Sequence, residues 1–137
     1  MAPVIIHLDP VEVLKLGLTV CMEKILGKEI PVLTALSKQR PDEFLLILNG
    51  GGIRRDLVVD VPTIILEAWA IRPSRAMLLA ETARGLMHWF DDINGTPVYN
   101  VSEFAGPGDL PDPLSHHARF TATYSVPMRT ARTVEIS

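Results

Sequence analysis

Residues Thr63 to Ile71 read TIILEAWAI, a stretch in which, after Thr63, both the even and the odd positions are apolar apart from Glu67. Successive side chains of a β-strand point to opposite faces, so Ile64, Leu66, Ala68 and Ala70 would line one side and Ile65, Trp69 and Ile71 the other. A strand with one wet face alternates between apolar and polar residues; this one does not, and it calls for cover on both sides. Glu43 to Leu48, EFLLIL, repeats the pattern. Any fold of this chain therefore needs a sheet with its own helices on one face and further cover on the other, from the same chain or from a neighbouring subunit.

Two segments can supply the helices. Asp9-Pro10-Val11-Glu12 has the order of a helix start, with Asp9 as cap, Pro10 at the first helical position and Glu12 three residues after the cap to close a capping box. That helix should run to about Leu26, carry Leu14, Leu18, Cys21 and Ile25 on one face and stop at Gly27. Val13, Leu16 and Val20 lie elsewhere around the cylinder. The polar stripe of Glu12, Lys15, Thr19 and Glu23 is therefore narrow, and more than one side of the helix expects cover. A second helix is expected from Ser74, its cap, to Phe90. Its stripe of Ala76, Leu79, Ala80, Ala83, Leu86, Met87 and Phe90 is small enough in places to lie close on a sheet.

The remaining segments read as strands and turns. Pro31 to Leu36 is a short edge strand, Arg40-Pro41-Asp42 a turn, and Asn94-Gly95-Thr96-Pro97 a turn leading into a strand from Val98 to Phe104. Arg119 to Met128 alternates cleanly, with Phe120, Ala122, Tyr124, Val126 and Met128 on the core side. Between these two strands lies AGPGDLPDPLS, residues 105–115, which reads as an ordered, irregular, proline-rich loop. Too few βαβ crossovers are present for a parallel sheet. The expectation is an α+β fold, a mostly antiparallel sheet of about five strands with two helices packed on one face. It forms a single domain over 1–137 with an extended tail over 130–137.

At 137 residues, 47% hydrophobic and 21% charged, with mean hydropathy +0.23, the chain has the composition of a globular protein with an apolar surplus. A net charge of -3 and a pI near 5.8 argue against a protein whose main work is gripping nucleic acid, which needs a basic footprint. The sole cysteine, Cys21, cannot form an intramolecular disulfide and reads as a buried thiol. MAPVIIHLDP lacks the basic region of a signal peptide, and no apolar run approaches the ~18 residues of a membrane span. A soluble protein made in a reducing cytoplasm, without a membrane partner, is expected.

The stretch FLLILNGGGIRRDLVVD tests the one phosphate-binding reading available. A phosphate loop needs Gly-Lys-Ser/Thr and a helix whose N-terminus faces the phosphates. Here Gly50-Gly51-Gly52 is followed by Ile53-Arg54-Arg55-Asp56 and an extended Leu57-Val58-Val59, with no lysine and no hydroxyl. The glycines read instead as a reversal after a strand, with Arg54 and Arg55 at its tip, able to reach acidic groups on another chain. His116-His117 is not completed into a metal site by any other cluster, and Asp109 and Asp112 read as turn formers. Asp91-Asp92, at a helix end where acids are unfavourable, reads as solvated loop. Ser74, Ser102, Ser115 and Ser125 lack a GxSxG setting or a local activating group. No catalytic residue, metal or cofactor is expected.

Taken in order, a capped helix, a strand pair around Gly51-Gly52-Ile53-Arg54-Arg55, a strand ending in Glu67-Ala68-Trp69-Ala70, an alanine-rich helix, and Gly106-Pro107-Gly108-Asp109-Leu110-Pro111-Asp112-Pro113 before an Arg-led last strand resemble the tail terminator (tail-completion) proteins of long-tailed bacteriophages, of the type found in actinobacterial phages. The resemblance runs from about Leu8 to Met128. It implies a structural virion protein, located in the tail neck after assembly in the host cytoplasm. Such a protein forms a homohexameric ring on the last tail-tube ring, stops tube polymerisation and joins the tail to the head-tail connector protein. Genomic DNA would touch it only in passing through the lumen, and no catalysis is involved. Candidate interface residues are Arg54 and Arg55 at the tip, Leu110 and Asp112 in the proline-rich loop, and Leu46, Leu48 and Ile65 in the two-sided strands. The alternatives are a head-proximal completion or connector protein and, from a different class, a small ligand-binding or hydrolytic α+β enzyme using Asp109, Asp112, His116 and His117.

Overall fold

The computed structural model describes residues 3–136. Its elements are β1 (Val4–His7), α1 (Pro10–Leu26), β2 (Val32–Leu33), β3 (Glu43–Arg54), β4 (Asp60–Ala70), α2 (Pro73–Trp89), β5 (Asp92–Ile93), β6 (Thr96–Pro97), β7 (Ser102–Asp109), β8 (Ala118–Ser125) and β9 (Ala131–Val134). Five strands form the main sheet in the order β2-β3-β4-β8-β7, antiparallel except for the short parallel β2–β3 pair. The fold is α+β, with a mostly antiparallel mixed sheet and two helices packed against it.

α1 starts as its residues dictate. Asp9 accepts a hydrogen bond from the Val11 amide at 2.9 Å, Pro10 occupies the first turn, and Gly27 ends the helix in the left-handed region at φ 67°. Glu12 is exposed, and among the described residues no bond from its side chain back to Asp9 completes the expected box. α2 begins one residue before the expected Ser74. Arg72 stands at the cap position without a side-chain bond, and Pro73 presets the first turn. The small-residue stripe behaves as expected: Ala76, Leu79, Ala80, Ala83, Leu86 and Met87 are buried against β4 and β8, in one core with Leu14, Leu18 and Met22 of α1 and Leu45, Ile47, Ile64, Leu66 and Tyr124 of the sheet.

The opposite face of β3 and β4 has its own smaller cluster of Phe44, Leu46 and Trp69, with Leu33 and Leu48 at its margin. This is the second cover that TIILEAWAI calls for, and over Trp69 the same chain provides it. Phe44 stacks on Trp69 with ring centres 5.3 Å apart, and the His117 ring meets both rings edge-on. The Arg40 and Arg119 guanidinium groups lie 5.2 and 5.0 Å from the Trp69 ring centre, and the indole N–H donates to Glu67 at 3.1 Å.

Two expectations fail at glycines. The triple glycine does not reverse the chain: β3 continues through Gly50, Gly51 and Gly52 to Arg54, and the reversal falls at residues 55–59. The glycines instead make a bulge in which the β3–β4 register shifts between Asn49 and Gly52, with φ of 93° at Gly51 and 134° at Gly52. A Cβ on Gly52 would stand 2.3 Å from the Val61 carbonyl oxygen, so only glycine fits. Likewise, Gly106-Pro107-Gly108 lies inside β7, an edge strand with register shifts on both sides of Ala105. Proline and glycine are tolerated there because an edge strand has one unpaired side. The irregular part of the expected 105–115 loop is thus only its second half, and the expected strand at Val98 starts at Ser102, leaving Val98 in an isolated bridge to Met128. Residues 131–134 of the expected tail pair with β1; Ser137, like Met1 and Ala2, lies outside the described residues.

Candidate assembly surfaces

The β3–β4 hairpin runs beyond its neighbouring strands, and its tip is locked from within. Asp56 accepts the amides of Val58 and Val59, both at 2.9 Å, which tightens the turn and holds the Asp56 carboxyl below the ordinary range. His7, from β1, donates from Nε2 to the Leu57 carbonyl at 3.0 Å, while its Nδ1 lies 2.7 Å from Thr130 Oγ1 and 3.2 Å from Asp60. Ile53 and Leu57 project from this braced tip and are 72% and 73% exposed.

The two tip arginines do different work. Arg54 pairs with Asp60 across the hairpin at 2.7 Å, and that bond holds its guanidinium above the usual range. Arg55 instead lies over the ring of Tyr99, 5.8 Å from its centre, and its charge helps to hold the Asp56 carboxyl down. Arg129 is close enough to add to the field on Asp56. Tyr99 and Arg129 belong to the tip, which no local pattern announced, because residues about 40 and 70 positions further on reach it only through the Asp60–Met128 and Val98–Met128 bridges.

The proline-rich turn has been placed over the second cluster. Asp112 accepts the Leu114 amide at 2.9 Å and pairs with Arg40 at 3.1 Å; the amide first, then the guanidinium, hold its carboxyl below the ordinary range. Leu110 is partly exposed, and Leu114 stands 91% exposed at the apex. Of the apolar interface candidates, Leu46 is only 4% exposed and packs within the chain, while Leu48 and Ile65 are half-buried. Asp109, Asp112, His116 and His117 do not converge on one site. His117 Nε2 donates to the Pro41 carbonyl at 2.8 Å, so its Nδ1 accepts the Ser115 hydroxyl at 2.6 Å. Ser115 does therefore have a basic neighbour, contrary to the sequence reading, yet the same oxygen also accepts the His117 amide at 3.2 Å, as in a closed turn.

A third surface was not anticipated. α1 and α2 leave between them a groove of about 490 Å³ lined by Cys21, Lys24, Ile25, Glu81, Leu86 and Trp89, with Trp89 69% exposed. Cys21 is half-buried at its edge, and Leu16 and Val20 extend the apolar strip along α1. The signal lay in the unusually apolar outer face of α1. On the other side of α2, Glu103 of β7 grips Arg84 through two bonds of 2.6 and 2.9 Å and His88 through one of 2.9 Å. Arg84 first, then His88, push the Glu103 carboxyl down to about 2. Beneath this network the Tyr124 hydroxyl is buried without a hydrogen-bond partner among the described residues, and burial pushes its ionisation up.

Among the described residues no group of His, Cys, Asp or Glu could hold a metal ion, and no helix is long and apolar enough to cross a membrane. No model of a known protein family matches the chain, and no curated protein matches it.

Proposed function

We propose that this chain is a structural assembly protein, a ring-forming tail terminator of a long-tailed bacteriophage. On this reading it caps the tail tube, stops its growth and joins it to the head-tail connector. The observation that carries the assembly reading is the distribution of exposed apolar side chains. Ile53 and Leu57 on the hairpin, Trp89 on α2, Phe104 on β7 and Leu114 on the proline-rich turn stand on separate parts of the surface, each on a braced element. Large apolar side chains dispersed on rigid projections fit a protein that contacts several neighbours at once, and rigid elements lose little entropy on docking. The sequence resemblance then specifies which assembly. A hexamer with tube protein on one face and connector on the other, and DNA passing through its lumen, is the arrangement it implies.

Sedimentation or native mass measurement of the protein alone and mixed with a tail-tube protein tests this reading. Ring-sized species that cap tubes and limit their length are expected, and a chain that neither oligomerises nor binds tubes would sink it. Electron imaging of particles separates the tail ring from a head-proximal ring. The Ser115–His117 contact favours a hydrolytic reading; if Ser115→Ala removed a hydrolytic activity from the purified protein while assembly survived, that reading would replace this one.

A further inference from the structure

We infer that the β3–β4 hairpin tip of one copy docks in the α1–α2 groove of the next copy, with Arg55 against the acidic C-terminal end of α2. The contact deepens the ring reading by naming the surfaces that join subunits, and rests on that reading only for closure of the ring.

Charge complementarity carries the pairing. α2 ends beside Asp91 and Asp92, both exposed, where the helix already presents its negative pole. Its only basic residue in the last turn is His88, and Glu103 already occupies His88. Acids at a helix C-terminus add to the dipole instead of opposing it, so this end of the molecule favours a cation. The tip carries one in the right form. Arg54 is neutralised by Asp60, whereas Arg55 makes no ion pair among the described residues and already rests on an aromatic ring, that of Tyr99. Moving to the exposed Trp89 would keep the cation–π contact, with the better aromatic partner, and add the two carboxylates.

Apolar complementarity points the same way. Ile53 and Leu57 flank Arg55 on the tip, and Ile25, Leu86 and Trp89 line the groove. The tip is braced by His7 and Asp56, so docking need not order it. Donor and acceptor are different surfaces, which makes the contact head-to-tail, and a repeated head-to-tail contact closes into a ring or continues as a filament.

The test uses two full-length variants, Leu57→Asp on the tip and Trp89→Ala in the groove. Both positions are exposed, so unchanged melting curves should accompany them at concentrations too low for the wild type to assemble. Each change should weaken self-association at least about thirtyfold, as loss of a central anchor does, and leave each variant monomeric by sedimentation. Mixed in equal amounts, they retain one intact tip and one intact groove, and should form a dimer and nothing larger. Wild-type protein that stays monomeric at every concentration, variants that assemble as the wild type does, or a mixture that stays monomeric overturns the proposal. The two readings fail separately. Protein that oligomerises through tip and groove but never caps tubes keeps this contact and removes the tail role; protein that caps tubes with both variants keeps that role and removes this contact.

Discussion

Replacing Gly52 by alanine should damage the hairpin far more than replacing either neighbouring glycine. Gly52 sits at φ 134°, and a Cβ there would lie 2.3 Å from the Val61 carbonyl oxygen, 2.7 Å from Pro62 Cα and 2.9 Å from the Thr63 nitrogen. All three are backbone atoms of the paired strand, so no side chain can turn aside and β3 must move off β4. Backbone strain of about 1–2 kcal/mol and overpacking of about 1–3 kcal/mol give a loss of roughly 2–5 kcal/mol, less the few tenths that alanine recovers by stiffening the unfolded chain. For a chain of this size that corresponds to a melting temperature lower by about 6–20 °C. Gly51, at φ 93° with open space around its Cβ, should show the strain alone, about 1–2 kcal/mol. Gly50 has no positive φ, and a Cβ there would meet the Thr63 carbonyl at 3.3 Å and the side-chain ends of Ile65 and Thr63 at 3.4 Å, contacts that small shifts relieve, so Gly50→Ala should cost least. Thermal melts followed by circular dichroism give the order, and amide exchange across residues 53–61 reports whether the tip detaches. Refutation is simple: Gly52→Ala that melts within about 2 °C of wild type with unchanged tip exchange, or Gly51→Ala that costs as much.

Other outcomes follow from the ion pairs and from one orphaned hydroxyl. Arg55→Glu should reduce oligomer formation and, at concentrations too low for assembly, lower the melting temperature less than Arg54→Glu does, since Arg55 loses only its contact with Tyr99 and its field on Asp56, whereas Arg54→Glu faces Asp60 with a like charge; sedimentation and melting of the same two samples check both. Glu103 has a folded pKa of about 2 against an ordinary 4.5, so its contribution is fully present above about pH 4.5 and lost as pH falls through about 2. Urea unfolding of wild type and Glu103→Gln between pH 6 and pH 2 should show a stability gap that closes across that window. Tyr124→Phe removes a buried hydroxyl with no partner, so it should be neutral or stabilise by up to about 1 kcal/mol; a loss above that would mean the hydroxyl is bonded to a buried water.

Fold class, both helices and the core-facing residues of α2 and β8 were legible because each depends on a local period. Asp9, Pro10 and Gly27 act within one turn of where they stand, and of the expected core-side residues Ala122, Tyr124, Val126 and Met128 are buried, with Phe120 half-buried against the same core. Triple glycine and Gly-Pro-Gly misled for related reasons: glycine, which relaxes the backbone, and proline, which fixes φ and lacks an N–H, both read as interruptions of a strand. Whether they interrupt it depends on the strand opposite, which Val61 supplies for Gly52 and β8 supplies for β7. The different fates of Arg54 and Arg55 were likewise illegible, since Asp60 and Tyr99 become their partners only after pairing.

By itself, the sequence determined that this chain must build a sheet covered on both faces, because TIILEAWAI and EFLLIL leave neither side fit for water. Only the tertiary structure decided how that cover is divided. Over Trp69 the chain folds its own Arg40, His117 and Arg119 into place, which takes Leu46 out of contention as a contact surface. The remaining apolar surface is dispersed over the hairpin tip, the α1–α2 groove, Phe104 of β7 and Leu114 of the proline-rich turn. Periodicity sets which residues of a strand or helix face together; which face meets water is set by what packs on it from elsewhere in the chain, and no local pattern carries that information.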